Sequence, residues 1–285
     1  MTTNNVQKIL AEISIPARPE VLIQVTEAFK KNEVDFSVIA QLITKDISLS
    51  AAILQVINSP FFGMRTKISS IQQAIALLGF KRTLMLVRTV SVRNVCKNPS
   101  KLIEFWDTAN DIACICAEIA NRVDYLERDD AFSLGLFHVC GIPILMEHFP
   151  DYAELYAVAH TAPQSLTELE KEHYGLNHAQ ISGQLCRKWH LSPDIIIAVE
   201  NHERPFSVLC EKFPEYQTKL MMIAILKAAI GLNYEMNKMH RKNISIENSW
   251  ASDSKTVLAF LGVSEPDFVL FQEALIDKLN GLSKG

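Results

Sequence analysis

Apolar residues recur every three to four positions through almost the whole chain, and no run alternates strictly over a length that would make a sheet strand. That periodicity confines the fold to packed helices, so the expectation is an all-α architecture. Val21, Leu22, Val25 and Phe29 share one helical face behind Pro19, a residue suited to a first helical position. Phe36, Ile39, Ala40 and Ile43 define a second helix, and Leu49, Ile53, Val56 and Ile57 a third. Asn58-Ser59-Pro60 should stop the third, because proline disfavours the α conformation in the residue before it and donates no backbone hydrogen bond. Ser70-Ile71-Gln72-Gln73 has the form of a capping box for a helix running to Leu78, which Gly79 closes before another helix over about 82–95.

Beyond Pro99-Ser100 the pattern predicts longer helices over 102–123, 130–148, 152–160, 166–174, 179–189, 194–201 and 216–236, and two more after a polar stretch at 237–248. Asn177 is a natural N-cap before His178. With 48% apolar residues in 285, the chain can bury a sizeable core. The punctuation suggests an N-terminal helical lobe over residues 1–98, a second lobe over 99–210 and a helical extension over 211–285.

Charge narrows the function classes. The formal net charge is −4, acidic and basic residues alternate, and Lys30-Lys31, Lys81-Arg82 and Arg241-Lys242 are too small to track a phosphate backbone. No nucleic-acid partner is expected. No apolar segment follows Met1, and no stretch nears the roughly 18 uninterrupted apolar residues of a membrane span, so the expectation is a cytoplasmic protein. Six cysteines show no Cys-x-x-Cys spacing and suit reduced, buried thiols. Cys114 and Cys116 would point about 200° apart on a helix, which argues against a metal or redox pair. His-Glu-x-x-His, glycine-rich phosphate-loop and Gly-x-Ser-x-Gly motifs are all missing.

A set of ordered motifs is more specific. Ile15-Pro16-Ala17-Arg18-Pro19-Glu20, Asp46 to Gly63, Ile68-Ser69-Ser70-Ile71 and Ala74-Ile75-Ala76-Leu77-Leu78-Gly79 are followed by Phe105-Trp106 and Gly135-Leu136-Phe137-His138. His178-Ala179-Gln180-Ile181-Ser182-Gly183, Trp189 and Asn201-His202-Glu203-Arg204-Pro205 complete the series. Together they resemble the HDOD domain over about residues 10–210. The resemblance implies a two-lobed helical bundle whose second lobe is similar to the HD superfamily of metal-dependent phosphohydrolases. In that superfamily His and Asp side chains on several helices hold one or two divalent metals, which generate hydroxide and neutralise phosphoryl charge.

Carried over position by position, that metal site is degenerate. Thr108 stands where the first histidine is implied, two residues after Trp106. The His-Asp doublet falls on His138-Val139, and a paired His-His falls on Asn201-His202. The late aspartate is implied on the helix around 219–232, which holds no carboxylate. His138, His178 and His202 survive, with Asn201 and Thr108 beside them as ligand-pocket candidates. Hard divalent ions favour anionic oxygen ligands, and Val139 supplies none. The expectation is therefore no catalytic residue, no metal and no cofactor in a neutral, histidine-lined cleft. Glu168, Glu170 and Glu172 suit a solvated face around Lys171, and Phe61-Phe62 suits the seam between lobes.

By the resemblance, the expected role is a signal-transduction output or scaffold module that binds a regulatory protein, such as a sensor or a component of a cyclic-dinucleotide pathway. The residues before 10 leave no room for another domain, so any sensor is expected to be a separate protein. Phe268, Phe271, Leu275, Leu279 and Leu282 form an apolar stripe that could dock a partner or a second copy in a homodimer, although packing on the protein's own core explains it more simply. Two alternatives stay open: a phosphohydrolase acting on a nucleotide or cyclic dinucleotide, and a nucleotide-sensing pocket without turnover.

Overall fold

The computed structural model describes residues 9–29, 34–58, 66–94, 102–159, 162, 164–240 and 250–282. The expectations placed on Ser59-Pro60, Phe61-Phe62, Gly63, Cys96 and Pro99-Ser100 lie outside these residues. The described structure is helical throughout, with no strand among the described residues. It divides into two compact units: Arg18–Val95 with Val269–Gly285, and Met1–Ala17 with Cys96–Phe268.

The smaller unit contains α1 (Glu20–Phe29), α2 (Phe36–Thr44), α3 (Ile47–Ile57) and α4 (Ile71–Arg93). Asp35 caps α2 by accepting hydrogen bonds from the Ser37 and Val38 amides. Ser70 caps α4 by accepting from Gln73 N, while Gln73 Oε1 accepts from Ser69 N instead of completing the expected box on Ser70. The expected break falls at Gly79, where two helical stretches meet at a kink within the α4 range. Gly79 takes φ 71 and ψ −175, a conformation that side-chain-bearing residues avoid. Ile39, Ile43, Leu49, Ile53 and Ile57 close an aliphatic core, and α2 packs against α1, α3 and α4.

The larger unit holds α5 (Ile103–Val123), α6 (Arg128–Phe137), α7 (Gly141–His148), α8 (Tyr152–Ala159), α9 (Leu166–Tyr174), α10 (His178–Lys188), α11 (Pro193–Asn201), α12 (Phe206–Lys212), α13 (Gln217–His240) and α14 (Trp250–Leu261). A last helix, α15 (Glu265–Leu282), begins in this unit and continues into the residues grouped with the smaller one. Capping boxes open α9 at Ser165/Glu168 and α10 at Asn177/Gln180, and Ser192 caps α11 ahead of Pro193.

Three boundaries differ from the expectation. The 130–148 helix is broken at residues 138–140, where His138 caps α6 and α7 starts afresh at Gly141. A short helix, α12, occupies residues read as a connection. Residues 211–268 do not form a separate extension, because α13 is buried all round from Met222 to Ala229 and packs against α5, α6, α11, α12 and α14. A helix apolar on every face must be enclosed, so α13 forms the axis of the larger unit. In the terminal stripe Leu275 is buried and Phe268 and Phe271 are half-buried; the side chains of Leu279 and Leu282 lie outside the described set.

An 18-residue window within Arg128–His148 is apolar enough to span a membrane by composition, and 78% of that window is buried inside the protein. Cys114, Cys116, Cys140 and Cys186 are buried thiols. Burial raises the thiol pKa of Cys114, Cys116 and Cys186.

Candidate functional site

His138, His178 and His202 come from the end of α6, the first residue of α10 and the residue that caps α11, yet the larger unit brings them together. The ring centroid of His202 lies 5.2 Å from that of His138 and 5.7 Å from that of His178. All three are 2% exposed, so they form part of a buried polar core and not an open cleft.

Close packing sets this arrangement. Gly141 opens α7 against the start of α10: a Cβ there would lie 2.1 Å from the His178 carbonyl oxygen, and its amide donates to Ser182 Oγ at 2.8 Å. Residues Ile15 and Pro16 of the N-terminal motif are held at the other end of α10, where Lys188 Nζ donates to the Ile15 carbonyl at 2.5 Å and Trp189 Nε1 to the Pro16 carbonyl at 3.3 Å.

Each imidazole is oriented through Nδ1. His138 Nδ1 lies 2.6 Å from the Gly135 carbonyl and His202 Nδ1 2.7 Å from the Val199 carbonyl. A carbonyl only accepts, so in both rings Nδ1 carries the proton and a neutral ring presents a lone pair at Nε2. His178 Nδ1 is 2.9 Å from Glu170 Oε2, and Glu170 also accepts from the His178 amide at 3.0 Å and from the Tyr152 hydroxyl.

Carboxylates therefore reach this core, contrary to the expected neutral cleft. Glu170 is fully buried while Glu168 and Glu172 are exposed, so the solvated-face reading holds for its neighbours and fails for Glu170. Glu203, the residue after His202, is 35% exposed at its side chain, and its Oε1 stands 3.1 Å from His202 Nε2. One ligating atom from each of His178, His202 and Glu203 lies within 4.8 Å of the other two. His178 Nε2 is buried without a hydrogen-bond partner.

Charge accounts for the titration behaviour. Burial, helped by His202, pushes His138 down to about 3. Burial alone would lower His178 too, but Glu170, close and hydrogen-bonded, outweighs it and raises this ring. For Glu203 burial acts upward, and the adjoining His202, with His178 and Lys227, holds the carboxyl well below the usual range. Lys227 lies on α13, in the segment where the resemblance placed the late aspartate. Its Nζ is 2.6 Å from Asp253 Oδ2, both side chains are buried, and Asp253 Oδ1 also accepts from the Phe206 amide at 2.9 Å.

The other two expected pocket residues have different settings. Thr108 is exposed on α5, and Asn201 Nδ2 donates back to the Ile197 carbonyl of its own helix at 2.7 Å. Glu170, Glu203, Lys227 and Asp253 were not among the expected site residues. Signals existed for two of them. Glu170 sits four residues from Leu166 and from Tyr174, on the inward face of α9, and Lys227 is a lone charge in an apolar run, where exposure is not available. Asp253 carried no such signal.

A His-His-carboxylate set suits a zinc-type ion, and Glu170 has the place of an outer partner that orients a ligating histidine. Where a metal is bound at such a set, it supplies Lewis acidity and a bound water of lowered pKa.

The HDOD domain profile matches residues 15–205. An uncharacterized protein of Treponema pallidum (strain Nichols) is 24% identical over 194 residues, 66% of this chain and 37% of that protein, so the chain spans little more than a third of that relative. Among solved structures, one from Shewanella amazonensis SB2B, provisionally named a phosphohydrolase, aligns with TM-score 0.72 at 18% identity over 98% of this chain and 97% of its own. An HDOD domain protein of unknown function from Geobacter sulfurreducens aligns with TM-score 0.65 at 20% identity over 97% of each chain. A Marinobacter aquaeolei VT8 protein, provisionally named for signal transduction, gives 0.71 at 17% identity over 97% of this chain and 60% of its own. At these identities the structural likeness concerns the fold.

Proposed function

This chain belongs to the HDOD domain family, and on that premise we propose that it is a cytoplasmic signal-transduction module that acts by binding another regulatory component and not by turnover. The observation that carries this reading is Lys227. A two-metal phosphohydrolase needs anionic ligands around both ions to hold them against the phosphoryl oxygens. Here the α13 segment contributes an ammonium, and the nearby Asp253 is engaged by that ammonium at 2.6 Å. Val139 contributes no charge from the second half of the doublet. The histidines face one another in the interior, each only 2% exposed.

Buried thiols fit a reducing compartment. The partner we expect is a signalling protein such as a sensor or a cyclic-dinucleotide pathway component, with a second copy of the chain as the other candidate. The name of the Marinobacter relative accords with this reading, and the name of the Shewanella relative with the hydrolase alternative.

A phosphodiesterase assay tests it. The protein, incubated with manganese and then with bis-p-nitrophenyl phosphate or a cyclic dinucleotide, is expected to release product no faster than buffer. Turnover that vanishes in His138→Ala would replace this reading with the hydrolase one.

A further inference from the structure

We propose that His178, His202 and Glu203 bind a single divalent metal ion of the zinc class, with Glu203 supplying the anionic ligand that the Val139 position lacks. This inference rests on the binding-module reading in one respect: the ion is held and is not used for hydrolysis.

Three independent features converge on the site. The first is spacing. Zinc takes nitrogen and oxygen ligands at about 2.0–2.2 Å, which puts neighbouring ligands of a tetrahedron roughly 3.3 Å apart. The contact between His202 Nε2 and Glu203 Oε1 is 3.1 Å, and the ligating atoms of all three residues fall within 4.8 Å, so small side-chain rotations close the set.

The second feature is unsatisfied chemistry. Buried polar atoms are almost always hydrogen-bonded, yet His178 Nε2 is buried without a partner and His202 Nε2 meets only the Glu203 carboxylate. His202 is fixed through Nδ1 as the tautomer whose Nε2 carries the lone pair, which is the state a metal requires. His178 is held through Nδ1 by Glu170, as an outer carboxylate holds a ligating histidine.

The third is access and charge. Glu203 is the member open to solvent, at 35%, and gives an ion a way in. Lys227 engages Asp253, so that carboxylate offers no free anion for a second ion. His138 packs edge-on beside His202, with its own Nδ1 tied to Gly135.

The test uses tag-free, full-length protein stripped with EDTA, then dialysed against zinc for elemental analysis and titrated with cobalt(II) for visible ligand-field absorption. Uptake of one zinc per chain and the intense absorption of low-symmetry, four-coordinate cobalt are expected. Glu203→Gln and His202→Gln, each checked for native helix content, should abolish the absorption, and Glu170→Gln should weaken affinity about 10–100-fold, the usual effect of losing an outer partner. Failure of the wild-type protein to retain zinc, or equal uptake by Glu203→Gln and His202→Gln, overturns the site. Zinc uptake with phosphodiester turnover would support the site and overturn the non-catalytic reading; no uptake and no turnover would do the reverse.

Discussion

In the unit Arg18–Val95 the buried side chains are mostly aliphatic, and the buried Thr83 and Thr89 hydroxyls simply donate to the Gly79 and Met85 carbonyls one turn back. In the unit Cys96–Phe268 the interior holds three histidines, Glu170, Lys227 and Asp253. Both units belong to one chain and both are made of helices, so fold type does not explain the difference. Buried charge is expensive unless paired, and replacing a buried pair by apolar residues is often neutral or stabilising. A protein that assembles one core from isoleucines had the means to do the same in the other. The polar core is therefore best understood as serving a site, and the aliphatic one as serving the fold.

Substitutions at a few positions test the contrast between the two interiors. The largest effect is expected from Asp253→Ala, which strands the Lys227 ammonium in the interior: urea unfolding should show a loss of about 3–5 kcal/mol, while Lys227→Met with Asp253→Leu should recover most of it. If the double variant is as unstable as the single one, the pair is more than a balanced charge. In the smaller unit Ile53→Ala should cost about 3 kcal/mol through a cavity alone, with no effect on metal uptake. Gly141→Ala sets a methyl against the His178 carbonyl and should cost about 2 kcal/mol by overpacking, but it should also weaken zinc retention, since it moves a ligand. The smallest effects belong to Ile47→Ser, at a position 82% exposed, and to Thr108→Ala on the surface of α5. Each should stay within about 0.5 kcal/mol of the parent. A marked loss of zinc in Thr108→Ala would return that residue to the site from which its exposure removes it.

Local signals accounted for most of the helices. Asn177, with Gln180 three residues on, announced the start of α10, and Gly79 announced a break that the structure renders as a kink. They failed where neighbours decide. The 138–140 break interrupts a stretch apolar enough to read as one helix, because α7 must start where Gly141 meets α10. The site divided in the same way. His138, His178 and His202 could be found because the motif order carries them. Glu203 was quoted in that motif without a role, and Glu170 was assigned to solvent on composition, because three alternating glutamates do not reveal which one faces inward.

The sequence by itself determined the helical fold class, the family and the surviving histidines, since periodicity, caps and ordered motifs are properties of neighbours along the chain. Only the tertiary structure decided that the histidine core is charged, with Glu170 beneath His178, Glu203 against His202 and Lys227 matched by Asp253 across two packed helices. The physical reason is that electrostatics in a protein interior depends on separations of a few ångströms, and those separations exist only once the helices have packed.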